Sequence, residues 1–265
     1  MTTYIKHFAM FLFACFYLQA GYCSAQKVNM QRKTTVANLA RLVSHLNGRS
    51  TLSPGDADYN GDGKVNVSDI SSCVGVILGD TIVRFVDLGL PSGTLWADRN
   101  IGAELPYEHG DYFAWGELAG KSNYMTSTYF DSKGTFLPSG SSIFGTEYDV
   151  AYKMTNGVGQ MPTHAQMKEL IDQCEWTWCV QNGVDGMMVV GPNKNHIFLP
   201  AAGYRHDTSM SLDATYGLYW NGDVSNYKGY AELLCFVDPS VSSQGIFFSY
   251  FSRVNGHSVR AVRRM

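Results

Sequence analysis

Twelve consecutive residues, Asp58 to Asp69 (DYNGDGKVNVSD), hold three carboxylates, two asparagines and two glycines. Neither a core strand nor a buried helix tolerates that density of polar side chains, but a loop wrapped around a cation requires it. The spacing fits a helix-flanked calcium loop: Asp58, Asn60 and Asp62 stand at positions 1, 3 and 5, with Gly63 at the sharp turn of position 6. Lys64 offers its carbonyl at position 7, and Asn66 and Asp69 occupy positions 9 and 12. Hard oxygen donors in this pattern suit Ca2+, since magnesium demands a tighter octahedron and zinc prefers nitrogen or sulfur.

A loop of this kind needs a helix behind it. Val67, Ile70, Cys73, Val74 and Ile77 recur at helical spacing, and Gly79 supplies a stop. Thirty-one residues upstream, Val36, Leu39, Leu42, Val43, Leu46 and Gly48 repeat the same pattern. That first copy carries Lys27, Asn29, Gln31, Arg32 and Asn38 where Asp58, Asn60, Asp62, Gly63 and Asp69 stand in the second. It keeps the helix and lacks the charges and the glycine, so one ion is expected rather than two.

The doubled pattern, with NGDGKVNVSD intact in its second copy, resembles the type I dockerin module over Lys27 to Asp80. The resemblance implies a small paired-helix calcium fold and docking onto a cohesin-like domain in polysaccharide-degrading assemblies. The degenerate first loop departs from the family pattern. Val67-Ser68 falls where the family's partner-selecting residues lie, and Val67 also fits a core position. A purely structural linker role is the alternative to docking.

The chain opens with Lys6 and His7, an apolar run from Phe8 to Leu18 and small residues up to Ala25. Charged start, short apolar centre and small-residue exit describe a signal peptide over residues 1–25. The run falls short of the ~20 apolar residues of a membrane-spanning helix. Tyr22 is large where a lipid-anchored Cys23 would need a small neighbour, so an exported, soluble product is expected. The formal charge is −3, with no basic block, which argues against nucleic-acid partners. Loss of Cys15 and Cys23 leaves Cys73, Cys174, Cys179 and Cys235, too few in this length for a disulfide scaffold. Residues 26–80 then form the calcium module and 85–265 one full domain.

From Phe85 onward, short apolar runs bounded by Gly, Asn, Asp and Pro read as strands: FVDLGLPSGTLWADRNIG, GDYFAWGE, GMMVVGPNKNHIFLPAAGYR, LYWNGD, AELLCFV, GIFFSYFSR and SVRAVRR. Asn182-Gly183 and Gly191 to Asn195 read as turns. PTHAQMKELIDQC reads as a helix begun by Pro162 and Thr163, with Met167, Leu170, Ile171 and Cys174 on one face. Few helices among many short strands predict an α+β fold whose larger part is β-rich.

VDLGLPSGTLWADRNIGA, GDYFAWGE, MPTHAQMKELID, NGVDGMMVVGPNKNHIFLPAAGYR and the closing NGHSVRAVRR resemble, in this order, the Fibrobacter major paralogous domain. That resemblance covers nearly all of 85–265. It implies a C-type lectin-like fold, common in secreted and surface proteins of gut and rumen bacteria. Two departures stand out: Gly159-Gln160 replaces the usual Trp-Arg, and Asn221-Gly222-Asp223 replaces a serine-rich stretch. Both are expected in loops that shape a binding surface.

Trp220-Asn221-Gly222-Asp223 is superficially like the Trp-Asn-Asp of calcium-dependent lectins, but the partner triplet is missing and a plain turn is expected. Cys174 is expected under its helix, with Cys179 as a loop thiol or its disulfide partner; a thiol oxidase would need that pair to be reactive. No His-x-x-x-His, His-Glu-x-x-His or Gly-x-Ser-x-Gly pattern occurs. Asp87, Asp98 and Asp111, beside glycine-rich turns, read as structural. Tyr112, Phe113, Trp115, Trp176, Trp178, Tyr219, Trp220 and Tyr227 are candidates for a sugar-stacking face or for core, with Trp176 and Trp178 on one side of a strand.

The sequence therefore points to an exported, non-enzymatic protein with one Ca2+, binding a glycan or surface protein at the bacterial envelope. The rivals are an accessory part of a polysaccharide-degrading system, docked through the calcium module, and an enzyme of unstated chemistry. N-terminal sequencing of the exported protein should begin at Gln26; a retained Phe8–Leu18 segment, or lipid on Cys23, would overturn this reading.

Overall fold

The structure, a computed structural model, describes residues 36–53, 57, 59, 65–77, 83–130 and 142–264. The signal peptide expected over 1–25 and Lys27, Asn29, Gln31 and Arg32 of the first repeat lie outside the described residues.

Both repeat helices form, α1 over Val36–Leu46 and α2 over Val67–Ile77. At 11 residues each they are too short to be stable alone and depend on mutual packing. Leu42 and Cys73 are fully buried in one apolar cluster with Ala57 and Tyr59, and Leu39, Leu46 and Ile70 pack against it. Leu39 and Ile70, like Leu42 and Cys73, are equivalent positions of the repeat, so the same residue pattern faces itself across the helix pair. Val67 does not join them. It is 72 % exposed at the first position of α2.

The rest is α+β, with several small antiparallel sheets. In chain order the elements are β1 (Phe85–Asp87), β2 (Thr94–Ala97), a 3-10 turn (Thr126–Thr128), α3 (Val150–Met154), α4 (His164–Gln173), β3 (Glu175–Gln181), β4 (Val184–Val190), β5 (His196–Pro200), β6 (Ala202–His206), β7 (Ser209–Asp213), β8 (Tyr216–Val224), β9 (Tyr230–Val237), β10 (Ile246–Ser252) and β11 (Val262–Arg264). They form the sheets β10-β9-β8, β3-β4-β5 and β1-β2-β11 and the pair β6-β7.

The β10-β9-β8 sheet lies between two apolar clusters. Alternate residues of a strand face opposite ways. On β9, Ala231, Leu233 and Cys235 enter one cluster, while Leu234 and Phe236 enter the other. The nearly unbroken apolar run AELLCFV is the sequence consequence of burial on both sides. Against the second face packs α4, through Met167 and Leu170. Its start is fixed by a capping box: the Thr163 hydroxyl accepts from the Gln166 N–H, and the Gln166 amide oxygen accepts from the Thr163 N–H at 2.9 Å.

Asn182 and Gly183, with φ of 50° and 85°, make the expected two-residue turn between β3 and β4. Trp176 and Trp178 share a side of β3, and both rings meet Phe236, at 6.2 and 6.3 Å between centroids. Three expectations are corrected. Cys179 lies within β3, not in a loop. GDYFAWGE forms no strand; its one bridge is Phe113 to His257. Its carbonyls are taken instead by aromatic donors: Tyr124 Oη gives to Tyr112 O at 2.6 Å, Trp220 Nε1 to Phe113 O at 2.8 Å and Tyr129 Oη to Trp115 O at 2.7 Å. Gly159-Gln160 is no surface loop: a Cβ at Gly159 would stand 2.7 Å from the Phe85 ring, and Gln160 bridges Val262. A large side chain at Gly159 would have no room.

Arg260 is fully buried. Its guanidinium donates to Asn100 Oδ1 at 2.9 Å, Ala97 O at 2.9 Å and Phe198 O at 2.7 Å, joining the end of β2 to β5. His257 is also fully buried, stacked on Tyr204 and met edge-on by Trp220 and Phe251, with no hydrogen-bond partner for either ring nitrogen among the described residues.

Two outcomes follow from these buried groups. Arg260→Met should lower stability by at least about 3 kcal/mol in denaturant titration, since three buried acceptors lose a charged donor at once; a loss under about 1 kcal/mol would contradict the role given to it. Burial pushes the His257 imidazole down to about 3, whereas an unfolded histidine titrates near 6.5. Between those values the unfolded chain binds the extra proton, so stability falls as pH drops, by up to about 1.4 kcal/mol per pH unit. His257→Phe should flatten that dependence, measured by thermal melts from pH 7 to 4.

Candidate functional site

Of the six expected calcium ligands, Asn66 and Asp69 are described; Asp58, Asn60, Asp62 and Lys64 lie outside the described residues. Asp69 sits in the first turn of α2 and is fully buried. Its Oδ1 accepts from the Tyr59 N–H and its Oδ2 from the Asn66 N–H, both at 2.8 Å. One carboxylate thereby ties the second position of the loop to the ninth. Tyr59, 7 % exposed, continues the link into the helix-pair cluster, where its hydroxyl is bonded to the Cys73 thiol. Each carboxylate oxygen has a second lone pair, so both hydrogen bonds are compatible with a cation on the same group. The donor chemistry fits Ca2+. Among the described residues no three His, Cys, Asp or Glu side chains gather into a metal-binding group.

Trp220 to Asp223, expected as a plain turn, is part of β8 and carries an irregularity in its pairing with β9 between Trp220 and Val224. A Cβ at Gly222 would lie 2.9 Å from that of Phe144, which explains the glycine. Nor is this stretch a surface loop. Asn221 is fully buried, and the register that pairs Trp220 with Leu233 sets it beside Glu232 of β9. Asn221 Nδ2 donates to Glu232 Oε2 at 2.7 Å, and its own Oδ1 accepts from the Asp223 N–H at 3.0 Å. Asp223 Oδ2 accepts from the His164 N–H at 2.6 Å, capping the start of α4 with a negative group. His164 Nδ1 lies 2.7 Å from the same Glu232 oxygen. With a carboxylate as partner that nitrogen carries the proton, leaving Nε2 on a side chain that is 44 % exposed.

Aromatic rings border this network. The His164 imidazole stacks on Phe248 at 4.2 Å. Tyr250 is directly opposite Glu232 in the sheet register and is hydrogen-bonded to it; the carboxylate's charge, followed by burial, raises the phenol. Tyr227 meets Tyr250 edge-on at 5.3 Å, and the two are 62 % and 46 % exposed.

The other candidates separate. Tyr112, Phe113, Trp115, Tyr219 and Trp220 are core; Trp176 and Trp178 are half-buried on Phe236; of the eight aromatics named from the sequence, Tyr227 is the one that is mostly exposed. Asp87 accepts from the Gly89 N–H and Asp98 pairs with Arg99, both local tasks. Asp111 comes within contact distance of a Cβ at Gly102, a packing constraint. No disulfide joins Cys174 and Cys179. Burial pushes the Cys174 thiol up to about 11 and Cys235 to about 12, the reverse of an activated thiolate. Cys73 is raised too, by burial.

His164, Glu232, Phe248 and Tyr250 were not among the sequence candidates. One signal was present: Glu232 is the single charge inside an apolar strand, and a charge in such a place needs a partner. Comparison of the chain with protein-family models, with curated proteins and with solved structures gives no match. No helix among the described residues is long and apolar enough to cross a membrane.

Proposed function

We propose that this is an exported calcium-binding protein in which a dockerin-like helix pair, clasped by one Ca2+, is joined to a lectin-like β-rich domain that binds glycan or another surface component at the bacterial envelope. The observation that carries the calcium part is the double hydrogen bond of buried Asp69. A carboxylate held at both oxygens across the loop supports the reading of a clasp that an ion would complete. Asp58, Asn60, Asp62, Lys64, Asn66 and Asp69 would hold Ca2+, and the ion would supply the charge that lets three carboxylates share one small loop. The reading is of a binding protein, not an enzyme: burial raises the Cys174 and Cys235 thiols rather than activating them.

A second reading is supported by Val67. Its 72 % exposure places an apolar side chain in solvent at the position matched to the dockerin partner-selecting pair. Docking onto a cohesin-like domain, within a polysaccharide-degrading assembly, would cover it.

Calorimetric titration of the full chain with Ca2+ should give one ion, not two. Asp69→Ala and Asp62→Ala should each cost most of the affinity, Gly63→Val comparably much, and Asn29→Ala nothing. Helical circular dichroism should fall in chelator because ion binding and folding of the pair are linked. A stoichiometry of two, or an unchanged spectrum in chelator, would refute the single-ion clasp. A cohesin pull-down that succeeds with the wild type and fails with Val67→Asp would favour the docking reading.

A further inference from the structure

We infer that the patch formed by the start of α4 and the ends of β8, β9 and β10 is a sugar-binding subsite, and that it takes a neutral hexose rather than an acidic one. The inference rests on the glycan reading above and assigns it a place and a charge preference.

A protein site for a neutral sugar combines an aromatic surface for the C–H face of the ring with acceptors for its hydroxyl groups. Tyr227 and Tyr250 supply the first. They are large, exposed and in contact with one another, and each can turn a ring toward solvent at little cost in conformational freedom. Glu232, Asp223 and His164 supply the second. Tyr250 and Glu232 are paired across the sheet, so the aromatic surface and the first acceptor are neighbours by backbone register rather than by loop conformation.

The acceptors are also held in place. Asn221 is fully buried and spends both ends of its amide inside the network, fixing the Glu232 carboxylate on one side and the Asp223 backbone on the other. Glu232 in turn orients the His164 ring, whose opposite face is supported by Phe248. A network that merely anchored the helix would be served by the Asp223 cap alone; it would not need a partly exposed imidazole leaning on a nearly buried glutamate. Positions on a helix and three paired strands give the rigidity that binding geometry requires.

Charge sets the preference. Neither Glu232 nor Asp223 pairs with a lysine or arginine among the described residues; their partners are His164, Asn221 and Tyr250. A uronate or sialate carboxylate would meet two like charges without a compensating cation, a juxtaposition that disfavours binding.

The test uses the full chain on an array of immobilised neutral polysaccharides (glucans, mannans, galactans and xylans) beside polygalacturonate and alginate. The wild type should bind one or more of the neutral polymers and neither uronate. Tyr250→Ala and Tyr227→Ala should each weaken that binding at least tenfold, and for Tyr227→Ala the thermal melt should stay unchanged, as that side chain is mostly exposed. Glu232→Gln, which preserves shape, should weaken it as well. Retention of affinity within twofold in all three variants would overturn the site and leave the glycan reading standing. Binding to the uronates alone would overturn the charge preference and with it the site. If the wild type bound none of the polymers, the glycan reading itself would fail.

Discussion

A guanidinium with no water around it constrains everything near it. Arg260 gives up hydration and receives Asn100 Oδ1, Ala97 O and Phe198 O in exchange. Burial lowers its pKa, with Tyr219 and Asp98 acting in the opposite direction. The three acceptors come from the end of β2, the segment after it and β5, so they must converge within hydrogen-bonding distance before the charge is tolerated. Residues on either side of Arg260 illustrate what this fixes. Val259 and Ala261 enter one apolar cluster, and Val262 enters the other. The buried charge thus stands where the chain passes between the two cores, and its hydrogen bonds set the register in which both can fill.

The same logic of donors reaching for carbonyls explains why an irregular backbone can be buried at all. Residues 110–117 have almost no ladder partners, yet their carbonyls are met by Tyr124, Trp220 and Tyr129. Tyrosine and tryptophan serve twice in such a place, since the ring fills the core and the polar tip satisfies the backbone. This is also why GDYFAWGE misled a reading by pattern. Its aromatic and apolar composition imitates a strand, and the donors that replace the ladder lie up to 107 residues away in sequence. By contrast α4 was legible because its cap and its apolar face are local, and the β3–β4 turn because Asn-Gly fixes its own geometry.

Legibility of the candidate sites divides along the same line. The calcium loop is contiguous, so every proposed ligand could be named from spacing, and of these Asp69 shows a buried, doubly bonded carboxylate. The polar–aromatic patch draws on 164, 221–223, 232 and 248–250, which meet only through the register of β8, β9 and β10. Asn221 and Asp223 had been noticed for a likeness to a lectin triplet, and were assigned to a turn because a glycine between them suggests one. The glycine answers to Phe144 instead, and no local pattern reports a neighbour seventy-eight residues back along the chain.

The two parts of the chain differ in what holds them. Among the described residues the helix pair's cluster has four buried side chains, a cysteine and a tyrosine hydrogen-bonded to each other among them. Two helices of 11 residues leave little surplus over the conformational entropy lost on folding, the regime in which metals and disulfides are recruited. The β-rich region has two large clusters and needs no such help. An ion in the loop would act where stability is scarce, and its effect would pass through Asp69, with one oxygen bonded to Tyr59 and the core and the other to Asn66 and the start of α2. On the proposed reading, calcium would govern whether the helix pair presents a defined surface, Val67 included, while the pairing of Tyr250 with Glu232 is set by strand register.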